Sequence, residues 1–551
     1  MAFKPNNTQQ INFDDAFLKL PPRVQHFVQK SWAMGFSEIV FPAINEERFA
    51  VLYSDKAASR PNAPVNAVIG SLILKEMFGL TEEDLLESIL CDVRFQVALR
   101  TTSFKEQPFS DRTFSRFRER LYQHELETGE DLLKDEMEAL AETFRQYLGI
   151  EPTLKRMDSL MVSSNSRKMS RLEILYTSVA NLVKTVHRTG ETQRLKNMEQ
   201  YLKEEHRNQF LYHRRNEGLD ERLQEVIDHA ALLMETLPEH YGDFQEYQLL
   251  QRVMKEQTHT DQDHHTTPKA KKDISPQSLQ NPSDPDATYR CKAGKDYKGY
   301  VANIVETTDE KGSLITSYDY QLNSHSDSHF CQKTIEKMGR QEEITTLVAD
   351  GAYASVANEA AATEMNIQLI TTALIGKLPD EVQALFVLDT ENKKVIKCPA
   401  GQKPYKTRFY EKTGTYRASF CQGTCDECPL RDRCGVKFQK KSAYLMVSEK
   451  MVTRAAYLQK MSSEEYRRIA KIRNGVEGIP SVLRRTYNVD HIPVRGYLRS
   501  KIWFALKVGA INAKRVLKGA PQAKKAACIL GNIAAYLKKS QLVAKSLPLA
   551  C

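Results

Sequence analysis

Three of the 70 acidic residues stand where a carboxylate can do chemistry. Asp158 lies inside TLKRMDSLMVSS, which reads as a strand. Asp350 ends the apolar run EITTLVAD, immediately before Gly351. Glu477 lies in IAKIRNGVEGIP, near the end of an amphipathic helical stretch. Carboxylates at strand ends can hold hard cations on a rigid base while the loops leave room for a substrate. A pair of Mg²⁺ ions held by such acids suits phosphodiester chemistry. A second constellation is made of thiols. Five of the ten cysteines fall between 398 and 434, and Cys425-x2-Cys428 is a chelating spacing. Cys434 follows in CPLRDRC, Cys398 heads CPAGQ, and Cys421 lies just upstream. They read either as zinc ligands or as reduced, unliganded thiols. A third constellation is basic. Arg112, Arg116 and Arg120 recur at i, i+4 and i+8 in DRTFSRFRERL, on a different face from Phe114, Phe117 and Leu121. Such a stripe suits a phosphate backbone or a solvated helix face.

The elements that must position these residues are legible in outline. The first 150 residues read as helical. Pro64 opens VNAVIGSLILKEMFGL and Gly79 ends it. Thr81 before Glu82, Glu83 and Asp84 marks another helix start. After the Asp158 strand, residues 165–270 are polar and helical, closing in the linker-like QTHTDQDHHTTPKAKKDISPQ. Its histidines, His259, His264 and His265, with His240 upstream, read as flexible polar sequence rather than ligands. YKGYVANIVETTD and SLITSYDYQL are paired strands across the turn DEKGS. A helix after Ser326, the Asp350 strand, a helix in VANEAAATEM and a strand in IQLITTAL follow, an alternation that gives a mixed α/β layer. Residues 376–450 read as irregular, and helix returns from Ser463.

Composition bounds the function classes. Hydrophobic residues at 41% and charged residues at 27% exclude a disordered or fibrous chain, and 551 residues suggest two to four domains. No run reaches the ~18 apolar residues of a membrane span. The start MAFKPNNTQQINFDD lacks the pattern of a signal peptide, which points to the cytoplasm. The net charge of +9 is unevenly placed. From Lys501 to Cys551 there are ten Lys or Arg and no acid, whereas the remaining 69 basic and 70 acidic residues nearly cancel. A basic tail suits nucleic acid or plain solvation.

The chain resembles the DDE transposases of bacterial insertion sequences. Four stretches carry the likeness: RPNAPVNAVIGSLILKEMFGLTEEDLLESIL with FSDRTFSRFRERL; NPSDPDATYRCKAGKDYKGYVANIVE with NSHSDSHF; LVADGAYAS; and IRNGVEGIPSVLRRTYNVDHIPVRGYLRSK with GAINAKRVL. The resemblance implies an RNase H-like α/β catalytic core of mixed sheet and flanking helices, with an all-α N-terminal domain. It implies Asp158, Asp350 and Glu477 as catalytic acids holding Mg²⁺ or Mn²⁺. One group of these enzymes carries Tyr-x2-Arg-x3-Glu-x6-Lys around the last acid. Here Arg473 and Arg484 fit the Arg and Lys positions, and Ala470 stands where Tyr is expected, with Tyr466 one turn earlier. Both arginines are then expected to grip DNA. The resemblance favours Cys398, Cys425, Cys428 and Cys434 as a structural zinc set, with Cys421 spare, in a segment too poor in apolar residues to fold unaided. Asp284 and Asp286, flanking Pro285, suit a turn, and Asp327 a helix start.

The expected organisation is a helical DNA-binding domain over 1–150, a catalytic domain over 151–500 and a basic helical tail over 501–551. Within the second domain fall a helical insert and linker at 165–285 and a Cys-rich insert at 376–450. The expected activity is binding of the terminal inverted repeats of an insertion sequence, followed by metal-dependent strand cleavage and transfer. The partners are double-stranded DNA and a second copy of the chain in the DNA complex, in the nucleoid and without a membrane. The alternative is an inactive or domesticated DNA-binding derivative.

Overall fold

Six strands form the main sheet of the computed structural model: β1 (Leu154–Ser163), β2 (Thr288–Lys292), β3 (Lys295–Thr308), β4 (Ser313–Leu322), β5 (Thr345–Ala349) and β6 (Ile367–Thr371). Hydrogen-bonded neighbours run β2-β3-β1-β5-β6, with β4 also paired to β3. The long β3 pairs antiparallel with β2 through its first half and with β4 through its second. β5 runs parallel to both β1 and β6, so the sheet is mixed. The structure describes residues 1–520 except 7–16, 55–60, 105–106, 196–197, 214–216, 238–240, 262–264, 293, 375, 377 and 476–477. The chain divides into two compact units: Met1–Glu151, Ser159–His325 and Pro480–Cys551 in one, Pro152–Asp158 and Ser326–Ile479 in the other.

In the first unit the N-terminal third is helical, as its sequence dictates. Val65–Phe78 ends at Gly79, whose φ of 69° closes the helix in the left-handed region. Thr81 and Asp84 form the capping box of Glu82–Cys91. Phe114, Phe117 and Leu121 are the buried stripe of the Thr113–Thr128 helix. The Tyr497–Gly519 helix packs against the Val65–Phe78, Thr113–Thr128 and Leu132–Leu148 helices and against β4. Gly509 allows the closest crossing, because a Cβ there would stand 2.4 Å from Met137 Sδ. The Asn512 side chain completes the backbone pairing of Ile315, accepting from its N–H at 2.9 Å and donating to its carbonyl at 2.8 Å.

The first 19 residues of the expected basic tail are therefore a core helix, and three of their five cations pair with acids. Lys501 pairs with Glu125 and Asp131, Lys507 with Glu76, and Arg515 with Glu306. Residues 521–551 lie outside the described residues. The helical insert has its own core, built on Arg171–Arg188, Leu219–Thr236 and Gln245–Gln257. The expected linker after it forms a short hairpin, Thr258–Thr260 with Thr266–Pro268, because Thr at alternate positions favours extended backbone.

The second unit contains the β1–β5–β6 ladder, the Asp327–Met338 and Val356–Glu364 helices beside it, and a second sheet. Here the structure corrects the irregular reading of 376–450. Lys406–Tyr410, Thr415–Cys421, Ser442–Ser448 and Lys437–Gln439 form a four-stranded antiparallel sheet. Phe386, Val395, Tyr416, Ala418, Phe420, Leu445 and Val447 are its core, so the segment is not short of apolar residues. Among the described residues no helix is long and apolar enough to cross a membrane.

Candidate catalytic site

The parallel pairing of β1 and β5 sets the two aspartates level. Leu154 is opposite Thr346, Lys155 opposite Leu347 and Arg156 opposite Val348. Two residues beyond that last pair, each chain reaches an aspartate, Asp158 on one and Asp350 on the other. An even step keeps the side on which a strand side chain points, so the register carries both carboxylates to one level on one face. Neighbouring strands lie roughly 4.8 Å apart, close enough for two carboxylates to share a cation.

Asp350 is held by local geometry. Its Oδ1 accepts from Gly351 N–H at 2.7 Å and from Thr372 Oγ1 at 3.3 Å. The glycine that follows is required by space. A Cβ on Gly351 would stand 2.4 Å from the carbonyl oxygen of Ala373. The chain leaving β6 can close over the end of β5 only because that side chain is missing.

Asp158 faces a cation. Arg473 Nη2 lies 3.5 Å from Asp158 Oδ2, and both side chains are largely buried, 14% and 16% exposed. Arg473 sits in the 3-10 turn Lys471–Gly475, which continues the Glu464–Ala470 helix. Arg156, which shares a strand face with Asp158, donates from Nη1 to the Ile472 carbonyl at 3.0 Å and anchors this turn. Gly475 makes the room, since a Cβ there would fall 1.9 Å from Arg156 Nη1. Sequence reasoning missed Arg156. Its signal is the i, i+2 alternation that puts it beside the acid.

Tyr466 has a structural place. It is 4% exposed, and its hydroxyl accepts from Thr371 N–H at 2.9 Å and donates to Thr371 carbonyl at 2.7 Å. Tyr457 joins the same cluster through Thr371 Oγ1 at 2.9 Å. Burial pushes the Tyr466 hydroxyl well above its ordinary pKa, which keeps it neutral. These tyrosines clamp the Glu449–Met461 and Glu464–Ala470 helices to the end of β6, over a core of Val348, Ile370 and Tyr466.

Glu477 lies outside the described residues. The 3-10 turn Lys471–Gly475 is described before it and the Gly478–Arg485 helix after it. Gly475, Gly478 and Pro480 weaken helical continuity. Arg484 is half-exposed, 3.6 Å from Asp490, and donates to the Met161 carbonyl at 3.4 Å. Arg112 and Arg116 are exposed, but Arg120 stacks 4.7 Å over the Tyr53 ring. The surface groove beside Arg116 and Arg120 also carries Glu119 and Glu127, so its sign is mixed. Asp284 is fully buried and accepts from the Tyr300 hydroxyl and Gly496 N–H, while Asp286 accepts from Tyr497 N–H. Both tie down loops. Asp327 opens a helix capped by Ser326.

The structure brings Cys398, Cys425, Cys428 and Cys434 around one cavity of about 20 Å³ and leaves Cys421 exposed outside it. Burial and the three neighbouring thiols push the Cys425 thiol up to about 11. Among the described residues no three His, Cys, Asp or Glu stand at full metal-ligand spacing. For the thiols, the donor chemistry and the one-ion cavity nevertheless suit zinc. For the acids, two carboxylates that the register sets level at adjacent strand ends have the oxygen-donor chemistry of Mg²⁺ or Mn²⁺.

A family model described as the transposase DDE domain matches residues 397–517, and a second, described as a transposase domain, matches residues 31–120. No curated protein matches the sequence. Among solved structures, the chain is similar to a piggyBac transposase synaptic complex with hairpin DNA. Identity is 9%, over 88% of this chain and 74% of that one, with a TM-score of 0.28. A likeness at that score carries no argument about this fold.

Proposed function

We propose that this chain, a DDE transposase of the insertion-sequence type by its two transposase-domain matches, binds the ends of its element and cuts and joins DNA there. The observation that carries this reading is the β1–β5 register, which levels Asp158 with Asp350. An RNase H-like core is supported by the strand order, in which an antiparallel β3–β4 pair lies on one side of β1 and parallel β5 and β6 on the other.

Asp158, Asp350 and Glu477 would hold two Mg²⁺ or Mn²⁺ ions, which when bound activate a water or 3′-hydroxyl and stabilise the departing 3′ oxygen. The protein supplies the frame. Gly351 and Thr372 fix the Asp350 carboxylate. Arg156 holds the turn that presents Arg473 beside Asp158. Arg473 and Arg484 are assigned to phosphates near the cut, and Arg112 and Arg116 to the flanking duplex. Cys398, Cys425, Cys428 and Cys434 would hold a structural zinc. Two copies of the chain would act together on the two ends of the element.

The test is cleavage of labelled element ends with Mg²⁺. Asp158→Ala, Asp350→Ala and Glu477→Ala should each abolish cleavage and leave DNA affinity within about twofold, because affinity comes mainly from phosphate contacts elsewhere. Near wild-type cleavage by any one of them removes that residue from the site. Binding without cleavage by the unmodified chain gives the inactive, DNA-binding alternative.

A further inference from the structure

The four-stranded sheet of the Cys-rich segment has two faces of opposite character. One packs on the small core through Tyr416, Ala418, Phe420, Leu445 and Val447. The other is solvent-facing, and the pairing register lists what it carries. Arg408 is directly opposite Arg417, and Arg417 opposite Met446. Lys406 is opposite Ser419, Ser419 opposite Tyr444, and Tyr444 opposite Lys437. Tyr410 is opposite Thr415. Period-two alternation puts all of these on the side away from the core.

This face holds four cations, two tyrosines and no acid. Residues 376–450 contain fifteen Lys or Arg against nine Asp or Glu, and none of those nine falls at an outward strand position of this sheet. A face kept merely soluble would mix both signs. The arginines are also pre-set. Arg417 stacks 4.1 Å over the Tyr444 ring, and Arg408 lies 5.3 Å over Tyr410. Arg417 spends one donor on Gln439 at 3.3 Å, out of five. Among the described residues none of Lys406, Arg408, Arg417 and Lys437 is in an ion pair. By contrast, the nearby Arg431 and Arg433 pair with Asp426 and Asp380.

We propose that the outward face of this sheet, centred on Lys406, Arg408, Arg417 and Lys437, is a DNA-backbone-binding surface. The inference rests on the transposase reading for its choice of partner and adds a site to it. Stacked guanidiniums keep their planar fork while meeting phosphate oxygens bidentately, and the lysines add point charge. The contact is sequence-independent and is therefore salt-dependent.

The experiment uses the full chain and a fluorescein-labelled random-sequence DNA duplex, with affinity followed by anisotropy over a KCl series. Removing all four cations, by Lys406→Gln, Arg408→Gln, Arg417→Gln and Lys437→Gln together, should weaken binding by about tenfold or more at low salt. It should also flatten the log–log salt slope by roughly 3.6, at about 0.9 for each of the four lost phosphate contacts. Arg431→Gln with Arg433→Gln removes charge from the same segment but not from this face, and should leave the slope unchanged. An unchanged melting temperature in the fourfold variant excludes misfolding. If it misfolds, Arg408→Gln with Arg417→Gln is read instead, with a slope change of roughly 2. An unaltered slope in a folded variant overturns the proposal while the transposase reading stands, because Asp158→Ala and cleavage test that reading separately. Equal losses in the Arg431/Arg433 control overturn it too, by making the effect one of general charge. Tighter, equally variant-sensitive binding of an RNA duplex would reassign the face to RNA and reject DNA.

Discussion

Arg473 is the residue whose position says most about the site. Its guanidinium faces Asp158 from a turn that Arg156 fastens to β1. Two accounts of it differ in measurable ways. If the pair only stabilises the fold, Arg473→Ala costs stability and any folded protein cleaves normally. If Arg473 serves the substrate, the loss appears in cleavage. A pair this enclosed is worth about 2 kcal/mol, between the roughly 1 kcal/mol of an exposed pair and the roughly 3–5 kcal/mol cost of breaking a buried one. Arg473→Ala should therefore lower the melting temperature modestly and cut cleavage by about tenfold or more, the effect of losing a bidentate phosphate contact. Cleavage of labelled ends and a thermal melt on the same sample decide between them. Normal cleavage with a large loss of stability assigns Arg473 to the fold. The strand–Asp–Gly run made the place of Asp350, at the end of β5, legible from sequence. The partnership of Arg156 with the Arg473 turn was not, because it joins residues more than 300 positions apart.

At the scale of elements, the strands and helices around the two aspartates were readable. β3 and β4 are β-rich runs that flank a Gly-containing turn, and Ser326, Ser355 and Thr81 sit at helix starts whose N–H groups they accept from. The sheet at 406–448 was not readable, for a physical reason. Its inward positions include small residues, Ala418 and Ala443, and three of its four strands carry charged outward residues, so only AYLMV in Ser442–Ser448 reads as an apolar run. Its own core also changes what zinc would do. Metal is not needed to supply all the cohesion of the segment. It would instead close the loops that carry Cys398, Cys425, Cys428 and Cys434 around their shared cavity. Protein purified without chelators should contain about one zinc per chain by elemental analysis, as one four-thiolate site requires. Cys425→Ser or Cys428→Ser should remove it and lower the melting temperature, whereas Cys421→Ser, at an exposed position, should change neither. Metal-free protein with unaltered stability would leave the cluster as reduced thiols.

Across the first unit, charge and burial compete, and burial decides the fate of the C-terminal basic residues. A run without acids looks like a tail when read locally. In three dimensions the Tyr497–Gly519 helix is a core element, and its cations meet acids from distant segments. Composition cannot show this, because the partners at 76, 125, 131 and 306 lie far upstream. Lys507 is the sharpest case. It is 8% exposed, Glu76 is 6% exposed, and the ammonium also lies 4.5 Å over the Trp503 ring. Burial depresses the Lys507 pKa, and the Glu76 carboxylate opposes that by favouring the charged form. Lys507→Met alone leaves Glu76 buried with only Lys75 at 3.2 Å, and should cost about 3 kcal/mol or more. Lys507→Met combined with Glu76→Gln removes the uncompensated charge and should recover most of that loss. Both tryptophans of the chain, Trp32 and Trp503, belong to this unit, so their fluorescence in a denaturant titration follows its unfolding alone. DNA affinity of the folded single variant should stay within about twofold, since Lys507 contributes no exposed charge to the salt-dependent contact. Weakened DNA binding with an unchanged unfolding midpoint would mean that this helix serves the polyanion after all and that its lysine is not a packing residue.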